Sequence, residues 1–167
     1  MKWSDVGSQA CSVARTLAVI GDRWTALFLR EAFSGATRFD EFLEGVGASR
    51  AIVSERLAKL VEDGVFDREP YQDNPPRYTY TLTQKGLDLL PVLLTLQEWG
   101  DRWLDDGKGP PFPLVHNACG KRTHARLHCT QCNEPLGLEV GGRPRPGSWA
   151  RDRKRTRRPL RPSRRRA

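Results

Sequence analysis

The chain has 167 residues, enough for one domain with its own core plus short appendages. It holds no apolar run near the ~18 residues a membrane-crossing helix needs and no secretory h-region, so the expectation is a soluble, cytoplasmic protein with no membrane partner. The formal charge of +8 is unevenly placed: from Arg143 onward there are twelve Arg or Lys and one Asp, which leaves −3 for residues 1–142, so any attraction of the body for a polyanion must rest on local placement of basic residues.

Met1 to Ala10 is short and polar and is expected to fray; Trp3 packs on a partner subunit or stands exposed. From Cys11 to Phe33 the apolar positions Val13, Leu17, Ile20, Trp24, Leu27, Phe28 and Phe33 predict two helices broken at Gly21-Asp22. Asp22 caps the second helix, and Trp24 at helical spacing reads as core. Arg23 pairs with a carboxylate or touches phosphate, the pairing ranking first. Ser34-Gly35-Ala36-Thr37 is a loop that leads into the next helix.

Phe39, Phe42, Leu43 and Val46 mark that short helix, and Gly45-Val46-Gly47 turns the chain sharply into Ser49. Ser49 to Gly64 follows with Val53, Leu57, Leu60 and Val61 on one apolar face. Ser49 is a good N-cap and Gly64 a good stop. Two helices joined by a tight glycine-containing turn make a helix-turn-helix, whose second helix enters a major groove. Its outer face carries Arg50, Ser54, Glu55, Ala58 and Lys59.

Val65–Glu69 and Arg77–Leu82 are short and rich in β-formers, with Tyr78, Tyr80 and Leu82 on one side of the second strand. Pro70 to Pro76 between them is turn chemistry. A helix pair followed by a hairpin is a winged helix, which binds duplex DNA or, in the competing reading, another protein.

Thr83-Gln84-Lys85-Gly86 opens a long amphipathic helix through Leu87, Leu90, Leu93, Leu94, Leu96, Trp99, Trp103 and Leu104. Pro91 within it produces a kink or marks a first turn. The helix is more apolar than one core face requires, so segment 87–104 is expected to pair with the Cys11–Ile20 helix of a second chain; the other reading is that it covers its own domain. Asp105 to Pro113 is a linker.

His116-Asn117-Ala118-Cys119 and Cys129-Thr130-Gln131-Cys132 lie nine residues apart, each pair with two residues between its members. That spacing lets two side chains grip one tetrahedral ion, and four filled positions make a structural zinc site with no place for water. His124 and His128 are spare ligands, and a redox thiol pair or a metal-free vestige is the alternative. From Gly141 to Ala167 the chain is dominated by Gly, Pro and Arg; it is expected to be disordered and to attract nucleic acid without regard to sequence.

Six stretches carry a family resemblance: Cys11-Ser12-Val13-Ala14-Arg15, Ile20-Gly21-Asp22-Arg23-Trp24, Arg38-Phe39, Leu57 to Gly64, Tyr80 to Gly86, and Leu96-Gln97-Glu98-Trp99-Gly100. In this order they resemble the HxlR-type winged helix-turn-helix transcription regulators of bacteria and archaea, over about Cys11 to Leu104. The resemblance implies a homodimer on an inverted-repeat operator; repression is the first reading of its action, and activation stays open. In some regulators of this type the cysteine at the place of Cys11 senses oxidants or electrophiles, which needs a thiolate favoured by a helix N-terminus and by Arg15. The alternative for Cys11 is a small buried apolar residue.

The expected architecture is mainly α with a small β-hairpin: a winged helix-turn-helix over residues 11–108, a zinc-ribbon-like segment over 114–140 and a disordered basic tail over 141–167. The expected function is sequence-specific binding of double-stranded DNA. Arg50 and Ser54 reach base edges beside the capping Ser49; Glu55 accepts from cytosine or pairs with Lys59. Arg38, Lys59 and Arg77 hold the backbone, and Arg56 anchors the turn or a phosphate. The runner-up is a zinc-stabilised adaptor whose ribbon and tail bind RNA or a protein. An enzyme is not expected, because the chain shows no phosphate loop and no nucleophile–base pair of recognisable spacing.

Overall fold

The structure, a computed structural model, describes residues 3–138 and 140–141. The side chain of Trp3 and the arginine-rich stretch 142–167 lie outside the described residues, so the expectations for both stand where the sequence left them. Trp3–Ser8 forms a 3-10 turn rather than a frayed end, and its Val6 is buried. Helices α1 (Ser12–Ile20) and α2 (Thr25–Phe33) follow, parted at Gly21 and Asp22 as the sequence predicts. The Asp22 carboxylate accepts the Trp24 and Thr25 amides at 2.8 and 3.1 Å, and so meets the free N–H groups at the start of α2.

Helices α3 (Phe39–Val46) and α4 (Arg50–Glu62) form the helix-turn-helix. Gly47, at φ 69°, takes the left-handed conformation that ends α3, and Ser49 caps α4 by accepting the Ile52 amide at 3.4 Å. The turn therefore bends at Gly47, while Gly45 stays inside α3. At the other end of the motif, Glu41 reaches back to accept the Thr37 and Arg38 amides at 2.7 and 2.9 Å. These bonds hold its carboxyl below the ordinary carboxylate range.

Strands β1 (Phe66–Gln72) and β2 (Arg77–Leu82) pair antiparallel, from Phe66 opposite Leu82 to Gln72 opposite Arg77. The first strand thus runs past Glu69, into the stretch where the sequence predicts the turn. No strand among the described residues pairs with the outer edge of β1, where a proline without an amide hydrogen is tolerated. The extra residue is absorbed as a register shift between Pro70 and Gln72. Arg38 bridges Thr79, and the Tyr80 amide donates to Thr37 O at 2.7 Å, which fixes the hairpin root to the start of α3.

The core is built from α2, α3, α4 and the hairpin: Phe28, Leu29, Phe42, Val53, Leu57, Leu60, Val65, Phe66 and Tyr80. Phe42 sits at its centre, with ring centroids 5.7 Å from Phe28, 5.7 Å from Phe66 and 6.4 Å from Tyr80. Burying each such side chain is worth about 1.5–3 kcal/mol, so the underside of α4 is held against three other elements. Trp24 packs on this core half-buried.

The single long helix expected after the hairpin is two, α5 (Gln84–Leu87) and α6 (Leu90–Trp103). Pro91 stands in the first turn of α6, where its missing N–H would have had no partner. Helix α6 has no buried residue, and Leu90, Val92, Leu96, Trp99 and Trp103 are exposed. Beyond it come two small hairpins. Strands β3 (Val115–His116) and β4 (Lys121–Arg122) form one, and a bridge between His128 and Pro135 closes the other. No helix among the described residues is long and apolar enough to cross a membrane.

Candidate nucleic-acid interface

Helix α4 presents its apolar side inward through Val53, Leu57 and Leu60, which leaves Arg50, Ser54, Glu55, Ala58 and Lys59 exposed. Its N-terminus opens onto a cleft of about 510 Å³ that continues to the hairpin tip. Arg38, Arg50 and Arg77 all line this cleft, together with Phe39, Asp40, Tyr71 and Tyr78. Three arginines that are far apart in sequence thus face one concavity from three elements. The helix-turn-helix and the hairpin are the two walls.

Two of the arginines are held against aromatic rings. Arg50 lies over the Phe39 ring at 5.2 Å and meets Asp40 at 3.3 Å. Arg38 lies over Tyr71 at 5.2 Å, at the register shift of β1. Arg77 opens β2 opposite Gln72, exposed. Aromatic faces fix the direction of a guanidinium without consuming its donors, so its N–H groups stay available for phosphate or base oxygen. Sequence reasoning missed Tyr71, Asp40 and also Arg68, which stacks on Tyr78 at 4.5 Å. The alternation of basic and aromatic residues along Arg68, Tyr71, Arg77 and Tyr78 was the signal that could have found the hairpin members.

Other expectations are redistributed. Glu55 pairs with Arg56 at 2.6 Å, and Lys59 pairs with Glu62 and Asp63, both at 3.0 Å, so the Glu55–Lys59 pair does not form. Lys59 is drawn toward the two carboxylates at the end of α4, and Arg56, which also reaches Asp22, takes Glu55. Bonds to Glu62 and Asp63 hold the Lys59 ammonium charged above its ordinary range. Arg56 reaches back to Asp22 at 3.4 Å and so anchors α4 to the start of α2. Ser49 is occupied as the cap of α4. Ser54 is exposed on the outer face.

Cys11 stands at the N-cap of α1, half-buried. His116 and Cys119 lie together, Nδ1 to Sγ 3.4 Å, and Cys129 and Cys132 form a second pair. The Cys132 and Gln131 amides and the Cys132 thiol turn toward Cys129 Sγ and lower its pKa from the ordinary thiol range. Among the described residues no three His, Cys, Asp or Glu side chains converge as a metal ion would need. His124 is engaged by Glu98 at 3.2 Å, and His128 Nδ1 lies 2.9 Å from Asn133 O.

A family model described as HxlR-like helix-turn-helix matches residues 19–108. An HTH-type transcriptional regulator of Mycobacterium tuberculosis is 44% identical over 141 residues, covering 84% of this chain and 89% of its own. The HTH-type regulator YdeP of Bacillus subtilis is 35% identical over 98 residues, 58% of this chain and 77% of its own. Among solved structures, PA1607, described as a transcription factor, superposes with a TM-score of 0.74 at 33% identity and covers 86% of this chain and 99% of its own. The redox regulator HypR in its reduced form gives 0.53 at 33% identity, over 57% of this chain and 95% of its own. An alignment covering 84% of a 167-residue chain is too long to stop at Lys108, so the mycobacterial likeness takes in the segment with the paired His and Cys residues.

Proposed function

Because the chain belongs to the HxlR-like helix-turn-helix family of transcriptional regulators, we propose that it binds a specific inverted-repeat operator as a homodimer and represses by occupying it. The single observation that carries this reading is the shared cleft of Arg38, Arg50 and Arg77 between the N-terminus of α4 and the hairpin. With α4 in the major groove, Arg50 reads a guanine edge, and Ser54 and Glu55 contact neighbouring bases from the same exposed face. Arg38 and Arg77 clasp the phosphates on either side of the groove.

The Arg50–Asp40 pair gives the step its order. Both side chains are about 70% exposed (70% and 68%), and exposed pairs of this kind are worth about 0–1 kcal/mol. Arg50 therefore exchanges Asp40 for a base at little cost, while Phe39 beneath it keeps the guanidinium aimed outward. The dimer is formed by α6 and α1, whose Leu96, Trp99, Val13 and Leu17 are exposed in the single chain.

The test is selection by the purified protein from a random duplex pool in moderate salt, followed by Arg50→Ala. The variant is expected to lose on the order of 1–3 kcal/mol on the selected site and to relax preference at one base position. A pool without enrichment would sink the DNA reading. An equal loss on selected and random duplexes would reduce Arg50 to a phosphate contact.

A further inference from the structure

The two hairpins that follow α6 have an unexplained property: none of their described residues is buried, and Val115, Leu127, Leu136 and Leu138 are all exposed. Two-residue strands without a core do not hold a shape in water, so this segment needs a stabiliser other than apolar burial. The two turns are also built on one plan. In the first, the Gly120 amide donates to His116 O at 2.8 Å; in the second, the Asn133 amide donates to Cys129 O at 2.9 Å. In each, the residue just after the second sulfur or nitrogen donor takes a left-handed backbone, Gly120 at φ 66° and Asn133 at φ 59°. Asn133 is the one non-glycine residue with positive φ among those described, a conformation that costs energy unless the surroundings impose it.

We propose that His116, Cys119, Cys129 and Cys132 are the four ligands of one tetrahedral zinc ion that joins the two turns into a closed ribbon. Each turn already presents its two donors side by side, with a sharp backbone reversal behind them. Amides of Gln131 and Cys132 at Cys129 Sγ are the bonds a metal-bound thiolate accepts. The pairs stand apart in this structure, so binding includes the approach of one turn to the other and the loss of the three thiol protons to solvent. The other two histidines are spoken for: His124 Nδ1 meets Glu98 and His128 Nδ1 meets Asn133 O.

Four protein ligands leave no position for water, so the ion is structural. The closed ribbon is anchored on α6, where Gln97 donates to Phe112 O at 2.7 Å and Glu98 meets His124.

The experiment is metal analysis of the full chain purified without chelator, with Cys119→Ser, Cys132→Ser and His116→Cys beside it. The expected result is one zinc per chain, lost in both serine variants and kept in His116→Cys. Cobalt exchanged into the wild type should give the intense visible bands of a tetrahedral ion and a sulfur-to-cobalt band, both absent from the two serine variants. A metal-free chain, with free thiols or with a Cys129–Cys132 disulfide, overturns the proposal. So does metal whose amount is unchanged in the serine variants. Because these readouts are independent of DNA binding, their failure leaves the operator reading untouched.

Discussion

Asp22 and Arg56 sit at the joint between the scaffold and the helix proposed to read DNA. Asp22 accepts from two amides and the Thr25 hydroxyl at the start of α2, and Arg56 of α4 lies 3.4 Å away, both side chains about a quarter exposed (26% and 24%). Burial pushes the Asp22 carboxyl up, but the Thr25 hydroxyl, the Trp24 and Thr25 amides and the Arg56 charge together bring it below its ordinary 3.8. A carboxylate depressed in the folded state stabilises the fold above its unfolded value, and that contribution is lost as pH falls through the folded value. Asp22→Asn is therefore expected to cost about 1–2 kcal/mol at neutral pH and to flatten the loss of stability on the acid side of 3.8. Urea melts of both proteins across that range check it; parallel pH profiles would show that the Asp22 charge contributes nothing.

Helix α6 poses the main question among the elements. It is a fourteen-residue helix with no buried residue, yet it carries two tryptophans and several leucines. Only Leu93 on its inner side, with Leu89 just before it, packs against the core. The double variant Leu96→Asp/Trp99→Asp is therefore expected to keep its helical circular dichroism while its mass in light scattering drops to that of one chain. Its affinity for the selected duplex should fall on the order of 10²–10⁴-fold, because the second half-site is no longer held at high effective concentration. An unchanged mass would remove α6 from the dimer. The hairpin teaches the complementary lesson: apart from Phe66, β1 has no fully buried residue, so it is a projecting arm whose exposed Arg and Tyr residues are free to face a ligand.

For the whole molecule, charge divides the labour. The body is mildly acidic overall, and its cleft arginines supply placement; the end from Arg143 supplies bulk positive charge. Removing residues 143–167 is expected to weaken binding to all duplexes alike, with the preference for the selected site retained. The salt slope should become shallower by about 0.9 for each phosphate that the tail no longer neutralises. Salt titrations on selected and random DNA measure this, and a loss confined to the selected site would give the tail a role in recognition. The helix-turn-helix with its cap at Ser49 and stop at Gly64, and the cap of α2 at Asp22, were legible in the sequence, because amphipathic spacing and capping depend on residues within a few positions of one another. Within each His/Cys turn the two side chains lie together, whereas the four do not converge in this structure. Only the tertiary structure decided that Arg38, Arg50 and Arg77 share one cleft, that Arg56 answers to Asp22, and that β1 runs on to Gln72. Those interactions join residues distant along the chain, and their geometry is set by how α3, α4 and the hairpin pack around Phe42, which no local spacing encodes.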